Sequence, residues 1–181
     1  MFLGGRLKFL LLFFVSVGFV WAELPPLDEY ISGLAKTKRV SEALVFSILF
    51  EENQRFCPVV TNTSNRNGSV DYGLFQLNSN SLPDFLDFYW DRECEFDWKN
   101  PYHNAFVAVS HMADLSRSST PNGFRFNYWL IALAYNAGYT RAVTSPPHSS
   151  LNYAERVVTR MQDRNFVSRV KASIRQVHGG Q

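Results

Sequence analysis

Cysteine is nearly absent from this 181-residue sequence, in which Cys57 and Cys94 are the only two. Histidine is also scarce, and no Cys/His cluster forms, so neither a zinc site nor any other metal is expected. The two cysteines leave one bridge or two separate thiols open. A Cys57–Cys94 bridge would close a loop of 36 intervening residues and contribute about 2–4 kcal/mol. Long apolar runs are lacking too. The longest, Phe9–Val20, has 12 residues, against the roughly 20 that a membrane-spanning helix needs. Charge of one sign is missing as well. The net charge of +2 comes from Arg6 and Lys8, because from Glu23 onward 16 bases meet 16 acids. A neutral body gives no electrostatic reason to expect a nucleic-acid partner. There is no internal repeat. Asn65, Asn67, Gly68 and Asp71 have the outline of a calcium loop without its charged ligands.

What is present is apolar and aromatic. Hydrophobic residues make up 46% of the chain, and 16 of its residues are Phe, which excludes disorder for most of it and provides for one real core. Arg6 and Lys8, the Phe9–Val20 run and Val20-Trp21-Ala22 together read as a secretory signal cleaved after Ala22. Residues 23–181 are then expected to form one exported, periplasmic or extracytoplasmic domain. A monomer is expected.

Helical periodicity dominates. Helices are expected over Pro26–Arg39, Glu42–Asn53, Asn104–Ser116, Tyr128–Ala137 and Tyr153–Val177, the last broken near Asn165. Ser41 is placed to cap the second helix with its hydroxyl. That helix is apolar from Ala43 to Phe50 and should be central and buried. Residues 61–69 form a polar surface loop, and the 61–78 region has room for at most a short hairpin. Charge is uneven along the chain. Asp71–Asp114 holds eight acids and two bases, whereas the segment from Leu115 onward holds two acids and nine bases. Such asymmetry can hold an anionic polymer, although a solvated basic helix face is the simpler reading of it.

Glu51 and Glu52 end the apolar helix. Leu44, Ile48 and Glu52 are spaced by four and share one face, and Glu51 clusters with Leu44 and Ile48 at spacings of four and three. One of the two carboxyls must border the buried stripe. A carboxyl in apolar surroundings favours its neutral form, which is what a general acid needs near neutral pH. Periodicity alone does not separate this from a pair of exposed acids at a helix end.

Five segments, in order, then carry a resemblance. They are Ala43–Asn53 with Phe56 and Pro58; Asp71-Tyr72-Gly73-Leu74-Phe75-Gln76-Leu77-Asn78; Asn100-Pro101-Tyr102-His103-Asn104; Ala132-Leu133-Ala134-Tyr135-Asn136-Ala137-Gly138; and Asn152-Tyr153-Ala154-Glu155-Arg156-Val157. Across residues 43–158 the chain resembles the lytic transglycosylases, which cleave the peptidoglycan of cell walls. Its Asp-Tyr-Gly wording and small size resemble the accessory members that serve secretion or appendage-assembly machines. The resemblance implies a mainly α-helical, lysozyme-like domain with a substrate cleft, acting on peptidoglycan glycan strands without a cofactor.

The family register puts the catalytic acid/base on Glu52. Asn53 stands where the family has Ser, and one extra residue precedes Phe56 and Pro58. The resemblance further implies that Gly73 admits the sugar close to the backbone and that Phe75 packs beside it. Gln76 and Asn78 would bond its polar groups, Tyr135 would stand near the carboxyl, and Asn136 and Tyr153 would help to bind substrate. Glu52 would protonate the bridge between N-acetylmuramic acid and N-acetylglucosamine. It would then deprotonate the muramyl 6-hydroxyl and so leave a 1,6-anhydromuramyl end. Hydrolysis on the same fold, with Asp71 as second carboxylate, and a wall-binding assembly protein without catalysis are the rival readings.

Overall fold

A computed structural model describes residues 24–179; the expected signal at 1–22 lies outside the described residues. Eight helices and one small sheet follow in the order α1 (Leu27–Lys38), α2 (Glu42–Glu52), β1 (Thr61–Asn62), β2 (Asp71–Tyr72), β3 (Leu77–Asn78), α3 (Leu82–Tyr89), α4 (Pro101–Arg117), α5 (Tyr128–Ala137), α6 (Tyr139–Thr144), α7 (His148–Met161) and α8 (Phe166–His178). The protein is mainly helical, as the sequence leads one to expect. Among the described residues no helix is long and apolar enough to cross a membrane.

Helix α2 is the centre. Leu44, Val45, Phe46, Ile48 and Leu49 have no exposed surface, and α5, α7 and α8 pack around them. Full burial of each such side chain contributes roughly 1.5–3 kcal/mol, so the helix is held by its surroundings more than by its own propensity. Ser41 caps its start by accepting from the Leu44 amide at 3.4 Å. Its end is fixed by Asn53, whose side-chain amide donates to the Cys57 carbonyl at 2.7 Å and whose Oδ1 accepts from the Cys57 amide at 3.3 Å. The chain then turns at Phe56, a buried residue at φ +52°, whose carbonyl lies 2.9 Å from His178 Nε2. The Asn53 side chain thus closes the turn that follows α2.

The sheet is antiparallel in the order β1-β2-β3, with Asn62 opposite Asp71 and Asp71 opposite Asn78. It is one strand larger than the short hairpin expected. Two helices also exceed the sequence reading. In α3, Pro83 occupies the first turn, where its missing amide costs nothing; Leu82, Phe85, Leu86 and Tyr89 pack on the core without full burial. Helix α6 has six residues, too few for periodicity to register. The last expected helix is two, α7 and α8, and Asn165 sits at the start of the second.

Cys57 and Cys94 are separate thiols, so the bridge is not formed. Asn53 holds the Cys57 backbone at the end of α2, while Trp90 Nε1 donates to the Cys94 carbonyl at 2.9 Å in a different loop.

Candidate active site

Helix α2 delivers two adjacent carboxyls to two different places. Glu51 points toward α7, where Arg156 Nε donates to it at 2.8 Å and Arg160 forms a second ion pair. Its side chain is only 5% exposed. Glu52 points the other way, into a cleft of about 450 Å³. It keeps a little surface open to that cleft, but most of its surroundings are protein atoms. Tyr153, on α7, donates its phenolic hydrogen to Glu52 Oε1 at 2.6 Å. Oε2 has no hydrogen-bond partner among the described residues.

Burial pushes the Glu52 carboxyl up to about 8 from its ordinary value of 4.5. The Tyr153 bond acts against that rise, and the nearby negative charge of Asp71 adds to it. Desolvation dominates because an ionised carboxylate loses more by leaving water than a single phenolic donor returns. At neutral pH the group is therefore a protonated acid facing an open cleft. Tyr153, buried beside Glu52, and Tyr135, partly buried on the cleft wall, are held far above the usual phenol range, first by desolvation and then by that carboxyl's charge. Both stay hydrogen-bond donors. Tyr135 donates to the Phe75 carbonyl at 2.9 Å.

The sheet forms the facing wall. Asp71 lines the cleft with both oxygens engaged: Asn78 donates to Oδ1 at 2.6 Å, and Asn62 and Asn65 donate to Oδ2 at 3.1 and 2.9 Å. Three amides therefore hold the Asp71 side chain in one orientation. Asn78 is spent on that task, since its amide also donates to Ser69 Oγ at 2.8 Å. Gln76, at φ +50°, lines the cleft and donates to the Gly73 carbonyl at 2.8 Å. Asn136 lines it too, exposed, and its side chain makes no hydrogen bond among the described residues.

Three of the expected contacts have other surroundings. Tyr153 is buried and off the cleft wall, meeting Glu52 instead of a sugar. Phe75 has no exposed surface and belongs to the core, reaching the site only through its carbonyl. Gly73 also lies off the cleft wall. At φ +75°, a Cβ there would come within 2.5 Å of Asn104 Nδ2 and 2.6 Å of the Trp98 carbonyl. Its bare backbone makes room for Asn104 instead of for a sugar. Asn104, fully buried on α4, accepts from the Phe75 amide at 2.8 Å and donates to the Tyr72 carbonyl at 3.0 Å. Asn100 caps the same helix by accepting from Tyr102 and His103. The Asn-Pro-Tyr-His-Asn segment thus starts α4 and pins the 72–76 loop beside Glu52.

Other lining residues carry no motif in the sequence. His111, on α4, stands between Phe85 and Tyr135, with ring centroids 4.3 and 5.9 Å away. Burial depresses it to about 4, against a smaller upward pull from Asp114, so its imidazole is neutral near pH 7. Asn65, Asn67, Tyr139 and Arg141 also border the cleft. The polar 61–69 loop marks Asn65 and Asn67 as surface residues, but only the folded sheet turns them inward. No group of three or more His, Cys, Asp or Glu side chains is arranged to hold a metal among the described residues.

Residues 29–145, nearly two thirds of the chain, match the family model described as the transglycosylase SLT domain. No curated protein and no solved structure matches the chain.

Proposed function

The chain belongs to the transglycosylase SLT domain family, and from that premise we propose that it is a lytic transglycosylase in which Glu52 alone performs the acid and base steps. The substrate is peptidoglycan, so the work is extracytoplasmic; we propose that residues 23–181 act there as one domain after removal of the 1–22 leader. A small enzyme of this kind suits the opening of the wall for a secretion or appendage machine.

The observation that carries the reading is a single neutral carboxyl, Glu52, open to a cleft and bonded from behind by Tyr153. The Tyr153 hydrogen marks Oε1 as the acceptor and leaves Oε2 to hold the transferable proton. Oε2 protonates the oxygen bridging N-acetylmuramic acid to N-acetylglucosamine. As that bond breaks, positive charge develops at the anomeric carbon, and the amide-locked carboxylate of Asp71 lowers its energy. Glu52, now a carboxylate steadied by the Tyr153 hydrogen bond, takes the proton of the muramyl 6-hydroxyl. The freed oxygen closes on the anomeric carbon, giving the 1,6-anhydro end and restoring neutral Glu52. Gln76, Asn136 and Tyr135 orient the sugars. Asn78 acts through Asp71, and Phe75 and Gly73 act by holding the loop that bears Gln76.

Hydrolysis is the second reading, supported by Asp71 lining the same cleft. Its three amide donors suit a fixed electrostatic partner better than a base that must gain and lose a proton. Release of soluble fragments from purified peptidoglycan tests the assignment. The wild-type protein should release them, and Glu52→Gln, folded and still binding, should not; equal release by both removes Glu52 from the mechanism.

A further inference from the structure

The charges around the cleft are not evenly distributed. Its sheet side carries Asp71 among neutral amides, and Glu52 and His111 are both uncharged near pH 7. Arg141, on α6, is the only arginine or lysine among the lining residues. It is exposed, and it forms no ion pair among the described residues, unlike Arg156, Arg160 and Arg175. Its mount is rigid. Gly138, at φ +80°, turns the chain sharply from α5 into α6, so that Tyr135, Asn136 and Arg141 border one space. Tyr139 anchors the start of α6 by donating to the Ser119 carbonyl at 2.6 Å and stacking on Phe126 at 5.5 Å. Ala142, the next residue after Arg141, is buried. An unpaired guanidinium held over a cleft is a ready partner for a carboxylate or phosphate.

The glycan backbone itself offers no anion. In peptidoglycan the negative groups near the chain are carboxylates borne by the muramyl residue, either its own lactyl carboxylate or those of an attached stem peptide. We propose that Arg141 is a specificity-determining residue that binds a muramyl-borne carboxylate at the α6 end of the cleft and so sets the register of the strand over Glu52. This rests on the peptidoglycan substrate but not on the chemical step.

Binding in the Glu52→Gln background tests it, because the substrate then stays intact. Defined tetrasaccharides of alternating N-acetylglucosamine and N-acetylmuramic acid are used in three forms: peptide-bearing, peptide-free with lactyl carboxylates, and peptide-free with those carboxyls amidated. Adding Arg141→Gln should weaken binding of a carboxylate-bearing form by about fivefold to tenfold, as expected for a charge-assisted bond at an exposed site. The amidated form should bind both proteins alike. Arg141→Lys should recover part of the loss. Lys36→Gln, which removes an exposed charge on α1 outside the cleft, should change nothing. A loss confined to the peptide-bearing form identifies a stem carboxylate, one confined to the peptide-free acid identifies the lactyl carboxylate, which an attached peptide consumes as an amide, and a loss on both shows that Arg141 accepts either. An equal loss on the amidated form, or no loss on any form, overturns the proposal. Absence of turnover in the wild-type protein would instead defeat the transglycosylase reading and leave this binding result standing.

Discussion

Glu51 and Glu52 are chain neighbours with opposite fates, and substitutions separate them. Glu52→Gln keeps size and hydrogen bonding but has no carboxylic proton; turnover should fall by roughly a hundred to ten thousandfold, the usual worth of a general acid–base group. Glu51→Gln should stay active while losing about 1–3 kcal/mol, because it leaves Arg156 and Arg160 without their buried anion. Turnover and denaturant melts on the two variants check this. A dead Glu51→Gln beside an active Glu52→Gln would exchange their roles.

The raised Glu52 pKa also has a sign that can be tested. The folded group titrates near 8, while its ordinary value is 4.5. Between these values the folded protein holds a proton that the unfolded chain has released, so the group's contribution to stability falls as pH rises through that window. Glu52→Gln removes this penalty. It should be more stable than wild type at pH 8 by about 1–3 kcal/mol, with little difference at pH 4.5. Activity should decline above about pH 8 as the acid loses its proton. Tyr153→Phe removes a donor that favours the ionised form, so that limb should move to higher pH while overall turnover drops. A limb near pH 5 would show that Glu52 is not desolvated enough to serve as the acid.

At the scale of elements, the junction between the sheet and α4 is the most constrained place. Gly73→Ala must accommodate a Cβ against Asn104 and the Trp98 carbonyl at a left-handed φ. A cost of about 2–4 kcal/mol is expected, with thermal melting as the check; a neutral effect would mean that Asn104 can withdraw. This junction also marks what the sequence can reveal. Apolar spacing exposed α1, α2 and α5 because each buries a stripe, and Ser41 announced its cap. Helix α3 is hidden in the sequence because its helical spacing, Leu82, Phe85, Leu86 and Tyr89, lies under a run of acids and aromatics with Pro83 at its start. Glu51 and Glu52 were inseparable by periodicity, since the α7 arginines that claim Glu51 lie more than a hundred residues away in the chain. His111 and Arg141 carry no local signal at all. They became cleft residues only when α4 and α6 packed on either side of Tyr135.

At the scale of the whole molecule, the family match at 29–145 stops before α7 and α8, yet both cover the central helix. Helix α7 also supplies Tyr153 to Glu52 and two arginines to Glu51. A fragment ending at residue 145 should therefore fail to fold cooperatively, since it would expose the apolar flank of α2. A sharp melting transition in that fragment would show that α2 needs less cover than its burial implies. With all eight helices in place, the mainly helical body and small sheet form a lysozyme-like architecture in which one wall brings a neutral acid and the other a fixed anion. In the proposed reaction the muramyl 6-hydroxyl takes the place that water has in hydrolysis, and this is where the two chemistries part. The decisive measurement is the mass of the muropeptides released when the purified protein digests peptidoglycan. Ends one water lighter than reducing muramic acid, present with wild type and gone with Glu52→Gln, are the predicted result. Reducing ends from the wild-type protein would contradict it and make the enzyme a hydrolase.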